Sequence, residues 1–270
     1  MKLLFVWMQL LIWGSASLFS QDSLRILTWN IQNMGQSKDD VKLEFIADIC
    51  RHYDLIAIQE VSVGPAGARA VAFLADKLNR RGAAWDYRVS DPTDGPGSER
   101  YAYLWKKGKV KVYGNCFLEQ KLADSINREP YLCRFVAGKD TLLLANFHAV
   151  PTQKGPAREN GFLYLMTYFY PGEKLLFMGD FNLGQKNPAF MRLKDRGWQP
   201  ALTGHKTSLR MEVRDGNHLA SEYDHIFYPA TLLKKLSAGV DDFSRKFPTL
   251  TEARGISDHL PIWLTIQTSR

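Results

Sequence analysis

Short apolar runs separated by polar and turn residues recur along the chain, and their spacing predicts strands that alternate with amphipathic helices. Leu24–Asn30 indicates a first strand, and Asp54–Gln59 indicates a second, buried one. Asp39 or Asp40 can cap a helix that runs to about His52. The same reasoning predicts a helix at Ala66–Arg81 and further strands at Tyr101–Trp105, Val110–Phe117, Tyr131–Val136, Thr141–Phe147, Lys174–Met178, Ile226–Tyr228 and Pro261–Ile266.

Other segments predict loops and shorter helices. Ser90–Ser98 is dense in turn residues and predicts a loop, and residues 197–222 have little apolar periodicity. Ala157–Phe169 predicts a helix that a Pro-Gly pair ends, and Pro188–Arg196 predicts a short one. Helices alternate with strands early and strands dominate the middle, which favours two packed sheets flanked by helices in an undivided domain.

The first twenty residues have the features of a secretory signal. Lys2 supplies a positive charge, Leu3–Trp13 is apolar, and small residues follow at 14–17. The apolar run is shorter than the roughly 20 residues of a membrane-spanning helix. We therefore expect a signal peptide at 1–20, cleaved after Ala16 or Ser20, and an exported domain at 21–270 that is periplasmic or secreted. An uncleaved N-terminal anchor is the alternative.

Composition narrows the class of protein. The chain is 45% hydrophobic, enough for the core of one large domain. Its formal net charge of +7 favours polyanionic partners such as nucleic acids, although basic residues also serve solubility alone. Three cysteines are too few for a disulfide scaffold. Cys50 is expected to be a core thiol, and the sequence leaves open whether Cys116 and Cys133 form a disulfide.

Polar side chains that could take part in catalysis or metal binding lie mostly where apolar runs end. Buried strands are apolar, so an acid or imidazole at the end of a strand usually belongs to a site. These candidates are Asn30, Glu60, His148, Asp180, Asn182, Asp224, Asp258 and His259.

Three of these positions suit a hard cation and its bound substrate. Glu60 offers a carboxylate of the kind that Mg²⁺ prefers, although an ordinary surface glutamate would also fit. Gly179 permits a tight exit from a strand, and Asp180 and Asn182, two residues apart, point the same way when extended. This pair can act on a water, a metal or a phosphate oxygen; an Asx turn is the alternative.

Histidines and their acidic neighbours supply proton transfer. His259 can act as acid or base, Asp258 can reach a metal through water, and Asp224 can orient the imidazole of His259. His148 is a second candidate acid or phosphate ligand, and His225 is expected to point to the opposite face from Asp224. Together these groups predict metal-assisted phosphoester hydrolysis.

The motifs resemble those of the endonuclease/exonuclease/phosphatase superfamily, most closely its deoxyribonuclease-I-like branch, over about residues 24–266. The resemblance implies a four-layer α/β sandwich of two mainly antiparallel mixed sheets flanked by helices. It rests on Thr-Trp-Asn-Ile at 28–31, Ile-Gln-Glu-Val at 58–61, Asn-Phe-His at 146–148, Met-Gly-Asp-Phe-Asn at 178–182, Tyr-Asp at 223–224 and Ser-Asp-His-Leu at 257–260.

The resemblance also implies roles for individual residues. Asn30 and Glu60 would bind the metal, and Asp258 would be linked to it. Asp180 and Asn182 would place the water and the phosphate. His259 would be a catalytic residue, and Asp224 would orient its ring. Glu99 would pair with His148, and Arg128 would approach the phosphate backbone.

Three departures from the branch concern the recognition of duplex DNA. Gln32 and Ser62 stand where the branch has arginines that touch the duplex, and Gly97 stands where it has a tyrosine that packs in the minor groove. The hydrolytic centre therefore resembles the family while the duplex-contacting surface differs from it. For Arg128, a solvated turn residue is the alternative interpretation.

These features predict an exported, monomeric endonuclease that depends on Mg²⁺, with Mn²⁺ or Ca²⁺ as alternatives. It would hydrolyse DNA with little sequence preference and would not insert stably in a membrane after signal cleavage. A second hypothesis keeps the chemistry and changes the substrate to a phospholipid or a small phosphorylated molecule. A third is a non-catalytic polyanion-binding module, which would have no need of the full set of acids, amides and imidazoles.

Overall fold

A computed structural model describes residues 22–95 and 97–269 of the chain. The expected signal peptide lies outside the described residues. Within those residues, no helix combines the length and apolar character needed to cross a bilayer.

Two six-stranded sheets dominate the structure. The strands are β1 Ser23–Met34, β2 Leu55–Val61, β3 Trp85–Val89, β4 Arg100–Lys106, β5 Lys111–Leu118, β6 Tyr131–Ala137, β7 Asp140–His148, β8 Lys174–Asp180, β9 Trp198–Pro200, β10 Leu209–Arg214, β11 Asn217–Leu219, β12 Asp224–Pro229, β13 Lys235–Val240 and β14 Ile262–Gln267. The first sheet has the order β13-β14-β1-β2-β4-β3, and the second has the order β5-β6-β7-β8-β12-β9. Each is antiparallel except for one parallel pair, β1–β2 or β7–β8. Strands β10 and β11 form a separate hairpin.

Helices cover the outer faces of the sheets. They are α1 Asp40–Cys50, α2 Pro65–Asn79, α3 Ala157–Asn160, α4 Met166–Phe169, α5 Met191–Asp195 and α6 Leu250–Ile256. The side chain of Asp39 caps α1 by accepting a hydrogen bond from the N–H of Lys42 at 2.9 Å, as the sequence predicts.

Three apolar layers hold the elements together. One lies between the sheets and includes Phe135, Leu144 and Leu264. Another packs α1, α2 and α6 on the first sheet, and the third packs the short helices α4 and α5 on the second. The result is the expected four-layer α/β sandwich, with mainly antiparallel mixed sheets inside and helices outside.

A pair of amide side chains crosses the apolar layer between the sheets. Gln59 on β2 donates from Nε2 to the Oδ1 of Asn146 on β7 at 2.5 Å, and also to the hydroxyl of Thr28 at 2.9 Å. Asn146 donates in turn to the carbonyl of Ile58 at 3.0 Å. Because an unpaired amide is costly in an apolar layer, these bonds favour one alignment of the two sheets.

The structure differs from the expected elements in several regions. The single helix expected at Ala157–Phe169 is divided into α3, a 3-10 turn at Leu163–Leu165 and α4, and Gly161 directly follows α3. The region expected to be loops, 197–222, contains β9 and the β10–β11 hairpin, while β3, β13 and α6 were not predicted at all.

The cysteines occupy the positions that the sequence left partly open. Cys116 on β5 and Cys133 on β6 form a disulfide. Cys50 is fully buried in the layer under α1, and burial raises the pKa of its thiol. It is therefore the inert core thiol that the sequence predicts.

Gly179 permits the close approach of β8 to β7. Its φ is +139°, and a Cβ there would lie 1.9 Å from the carbonyl oxygen of Phe147. We expect Gly179→Ala to lower the free energy of unfolding by at least about 2 kcal/mol, measured by urea denaturation, because the two strands must separate. Gly108→Ala is the control, since nothing lies within 4 Å of a Cβ there. Equal losses in the two variants would contradict this account.

Candidate active site

Strand register brings the candidate residues to one edge of the sandwich. The parallel pair β7–β8 places His148 opposite Asp180, and the antiparallel pair β8–β12 places Asp180 opposite Asp224. In the first sheet, the parallel pair β1–β2 places Asn30 opposite Gln59, directly before Glu60. Since parallel strands end at the same edge, residues far apart in sequence converge there.

The carboxylate of Asp180 is the centre of this edge. Its Oδ2 lies 3.4 Å from the Nε2 of His148 and 3.5 Å from the Nε2 of His259, and accepts a hydrogen bond from Asn30 at 3.1 Å. Burial alone would raise the pKa of Asp180, but the two imidazoles outweigh it and lower that pKa. Asp180 is therefore ionised at neutral pH while almost completely buried.

His259 forms one of two imidazole–carboxylate pairs around Asp180. Its Nδ1 lies 2.8 Å from the Oδ2 of Asp224, which also accepts a hydrogen bond from the hydroxyl of Thr207 at 2.6 Å. Burial opposes protonation of His259, but Asp224 and Asp180 prevail and raise its pKa well above the usual value. Asp224 orients the imidazole as the sequence predicts; Thr207 was not anticipated.

His148 forms the second pair, with Glu99. Its Nδ1 lies 2.9 Å from the Oε2 of Glu99, which also accepts a hydrogen bond from Arg128 at 2.8 Å. Burial opposes protonation, yet Glu99 raises the pKa of His148 against the adjacent positive charge of Arg128. Arg128 also donates to the carbonyl of Ala149. It is thus a buried ion-pair partner, 7% exposed, and not a solvated turn residue.

Glu60 and Asn30 form an oxygen-rich corner beside Asp180. Glu60 accepts hydrogen bonds from the Nδ2 of Asn30 and from the N–H of Asn33, both at 2.9 Å. Glu60, Asn33 and Asn182 have φ values of +60°, +54° and +49°, an uncommon region for residues other than glycine. Such backbone strain concentrates at functional sites.

The corner fits a hard divalent cation. The Oδ1 of Asn30 is buried and has no hydrogen-bond partner in the described part of the chain. An acceptor in this state is costly unless something binds it. Amide and carboxylate oxygens are the donors that Mg²⁺ takes, with waters and substrate oxygens completing its shell. Asn30 and Glu60 are therefore the residues best suited to hold the ion.

A second cluster could also hold an ion but fits it less well. Ligand atoms of Asp180, Asp224 and His259 lie within 4.8 Å of one another. The Oδ1 of Asp224 is also without a hydrogen-bond partner among the described residues, but its Oδ2 accepts a hydrogen bond from the Nδ1 of His259, and the carboxylates of Asp224 and Asp180 raise the pKa of this imidazole. A metal-bound imidazole must be neutral, so protonation competes with binding there.

Asp258 and Lys38 lie on the rim of the site. Asp258, expected to reach the metal through water, accepts an ion-paired hydrogen bond from Arg254 at 3.3 Å. Lys38 is 7% exposed, and its ammonium lies 3.4 Å from the carbonyl of Gly255. Burial, reinforced by Lys42, lowers the pKa of Lys38 to about 8. Lys38 was not among the residues selected from the sequence.

The turn after β8 is an Asx turn and also presents polar atoms to the site, so both interpretations of Asp180 and Asn182 from the sequence apply. The Oδ1 of Asp180 accepts a hydrogen bond from the N–H of Asn182 at 2.8 Å, so an Asx turn is present. Its other oxygen, Oδ2, faces the two imidazoles. The Nδ2 of Asn182 donates one of its two hydrogens to the carbonyl of Ala149 at 3.1 Å, and its second N–H can donate to a ligand.

This arrangement of acids and imidazoles has relatives among known proteins. A model of the endonuclease/exonuclease/phosphatase family matches residues 27–259. The chain belongs to this family. A deoxyribonuclease of Thioalkalivibrio sp. (strain K90mix) is 29% identical over 268 residues, covering 90% of this chain and 71% of the relative. Human deoxyribonuclease gamma is 28% identical over 280 residues, covering 94% and 89%.

Solved structures share the architecture at much lower identity. A mannosyl-6-phosphatase of Bacteroides thetaiotaomicron VPI-5482 superposes with a TM-score of 0.67 at 15% identity, covering 90% of this chain and 99% of the other. The likeness shows the fold. The family membership shows a hydrolase of phosphoester bonds, as the motifs predict.

His225 lies on the opposite face of β12 from Asp224, as the alternation of a strand requires. Its ring packs among Phe181, Phe190 and Phe227, and its Nε2 lies 2.7 Å from the carbonyl of Leu183. Burial lowers the pKa of His225 to about 4. It is a neutral core residue on the strand that carries Asp224.

The depressed pKa makes stability depend on pH. Unfolded histidine titrates near 6.5, so His225 contributes stability above that pH that is lost as pH falls toward 4. We expect the free energy of unfolding of the unsubstituted protein, relative to that of His225→Phe, to fall by about 2 kcal/mol from pH 7.5 to pH 5, measured by urea denaturation. His205→Phe, at an exposed histidine, should leave the pH dependence unchanged. A difference from His225→Phe that stays constant with pH would refute the assignment.

Proposed function

We propose that this protein is a metal-dependent phosphodiesterase, and specifically an endonuclease that cuts DNA with little sequence preference. The observation that carries the proposal is the ionised Asp180 between two imidazole–carboxylate pairs, beside the oxygen corner of Asn30 and Glu60. One acceptor and two protonated donors around a space for phosphate match the needs of phosphodiester hydrolysis.

Asp180 is assigned the role of proton acceptor. Its low pKa keeps it ionised, and its Oδ2 faces both imidazoles, so it can take a proton from a water bound beside them. The water gives its proton to Asp180 as its oxygen attacks phosphorus, opposite the bond that breaks. His259, protonated and held by Asp224, donates a hydrogen bond to a phosphate oxygen as charge develops there.

His148 is assigned the role of proton donor to the leaving oxygen. Glu99 raises its pKa and fixes its ring, so the Nε2–H points into the site. The departing ester oxygen takes this proton and leaves as a hydroxyl, while the phosphate keeps the oxygen that came from water. Asn182 and Arg128 would bind the phosphate, Arg128 through the positive charge of its guanidinium from its buried position beside Glu99.

A divalent cation is proposed at Asn30 and Glu60, with Asp258 linked to it through water. Mg²⁺ is the expected ion, and Mn²⁺ and Ca²⁺ are the alternatives. When bound, the ion supplies charge neutralisation at the phosphate and at the leaving oxygen. The unpartnered Oδ1 of Asn30 supports this assignment.

The substrate and the location are inferred from several independent features. The relatives named as deoxyribonucleases and the net charge of +7 favour DNA. The disulfide between Cys116 and Cys133 favours an oxidising compartment, which agrees with export to a periplasm or the medium. We propose a monomer without stable membrane insertion.

A small phosphorylated substrate is the second candidate. Gln32, Ser62 and Gly97 replace residues that the deoxyribonuclease-I-like branch uses on duplex DNA, and a mannosyl-6-phosphatase shares the fold. The same central groups would serve a phosphomonoester, so the choice depends on the surface around them.

Plasmid nicking tests the proposed function. Purified protein should relax supercoiled plasmid with Mg²⁺ and not with EDTA. His259→Ala should slow relaxation by about 10²–10⁴-fold because the charge-stabilising donor is lost. Glu60→Gln should also abolish stimulation by Mg²⁺, because an amide binds the ion less well than a carboxylate.

Asp76→Asn is the matched control for Glu60→Gln, since it removes one exposed carboxylate on α2. It should retain full activity. Folding of each variant is checked by circular dichroism. Rates like those of the unsubstituted protein in Glu60→Gln and His259→Ala would exclude this active site, and a metal-dependent phosphatase activity without nicking would favour the second candidate.

A further inference from the structure

The hairpin of β10 and β11 forms one wall of a cavity beside the active site. The cavity has a volume of about 570 Å³, and Asp258 and His259 lie on its inner side. Backbone bonds fix the base of the hairpin there: Ser208 forms a bridge with His259, and the N–H of Leu209 donates to the carbonyl of Asp258 at 2.7 Å. Arg254 donates to the carbonyl of Leu209 at 2.8 Å. We refer to this space as the hairpin cavity.

Two arginines that form no ion pair in the described part of the chain line the hairpin cavity, in addition to Arg254, which pairs with Asp258. Arg210 and Arg214 both border it, and neither guanidinium forms an ion pair with any carboxylate of the described residues. Arg210 uses only its Nε, which donates to the carbonyl of Leu219 at 3.0 Å. Glu212 lies between the two arginines and also borders the cavity. The wall therefore has a net positive charge beyond what the catalytic centre contains.

Aromatic and apolar surface lies beside these charges. The ring of Tyr223 borders the cavity and stacks near His259, with centroids 6.4 Å apart and planes at 30°. Its hydroxyl accepts a hydrogen bond from Thr152 at 3.0 Å, which holds the ring. Met211 on the hairpin is 73% exposed and also borders the cavity.

We propose that the hairpin cavity binds an unpaired nucleotide strand next to the phosphate that is cut, and so favours single-stranded or frayed DNA over duplex. The inference rests on the proposed function. A monophosphate needs only the central groups, whereas two additional unpaired arginines about 13 Å apart along a strand suit the spaced phosphates of a polyanion. An aromatic ring and an exposed methionine suit the face of a base, which is accessible when the base is unpaired.

Oligonucleotide binding in EDTA tests the proposal without requiring turnover. A fluorescent twelve-nucleotide single strand and its duplex are titrated by anisotropy, over a range of salt concentrations. The unsubstituted protein should bind the single strand more tightly. Arg210→Ala/Arg214→Ala should weaken that binding by roughly tenfold or more, and should reduce the slope of log affinity against log salt by about 1.4, the value for two phosphate contacts on a single strand. Glu212→Gln should strengthen it.

Arg80→Ala/Lys107→Ala is the matched control because it removes two exposed positive charges away from the cavity. It should leave the preference for the single strand unchanged. Hydrolysis of bis(4-nitrophenyl) phosphate with Mg²⁺, which needs only the central groups, should stay within about twofold in Arg210→Ala/Arg214→Ala, since no catalytic group is altered.

The outcomes separate this proposal from the proposed function. If the protein hydrolyses the small diester but binds single strand and duplex equally, or if the hairpin variant changes neither affinity nor salt slope, the hairpin proposal is wrong and the phosphodiesterase remains. If the unsubstituted protein hydrolyses neither the diester nor plasmid, the proposed function fails. A loss of diester hydrolysis in the hairpin variant would show a structural role instead and would overturn the subsite.

Discussion

The hydrogen bond between Gln59 and Asn146 is the constraint on which the rest of the site depends. It joins the two sheets through a mainly apolar layer, where apolar contacts have little directional preference. Gln59 directly precedes Glu60, and Asn146 lies two residues before His148. The same bond that aligns the sheets therefore sets the cation corner of the first sheet against the acid–imidazole groups of the second. A buried amide pair adds specificity of this kind more than net stability.

Charge balance explains how so many ionisable groups stay buried together. Asp180, Asp224 and Glu99 each contact an imidazole, and the protonated forms of His148 and His259 compensate the carboxylates. Removing one member would leave its partner charged and desolvated, so each acid–imidazole pair stands as a unit. A phosphate group entering beside two imidazolium rings meets fixed positive charge that needs no rearrangement during the reaction.

Sequence alone predicted the layers and the polar groups that meet at the strand ends, because apolar periodicity and chain order suffice for both. It could not show the burial of Arg128 or Lys38, since burial of a cation depends on partners distant in sequence. It also missed the β10–β11 hairpin, although Asp215 and Gly216, with φ values of +50° and +72°, are a pair typical of tight hairpin turns. The strands on either side of that turn are mostly exposed and contribute little to the core, so the pattern of buried apolar runs did not reveal them.

Strand β12 contributes residues to both the core and the site. Asp224 and His225 are consecutive, so the orientation of one face fixes the orientation of the other. The aromatic residues that pack against the ring of His225 therefore influence the orientation of Asp224 in its hydrogen bond with His259. A substitution that repacks those phenylalanines is consequently expected to displace Asp224 as well as to change the core.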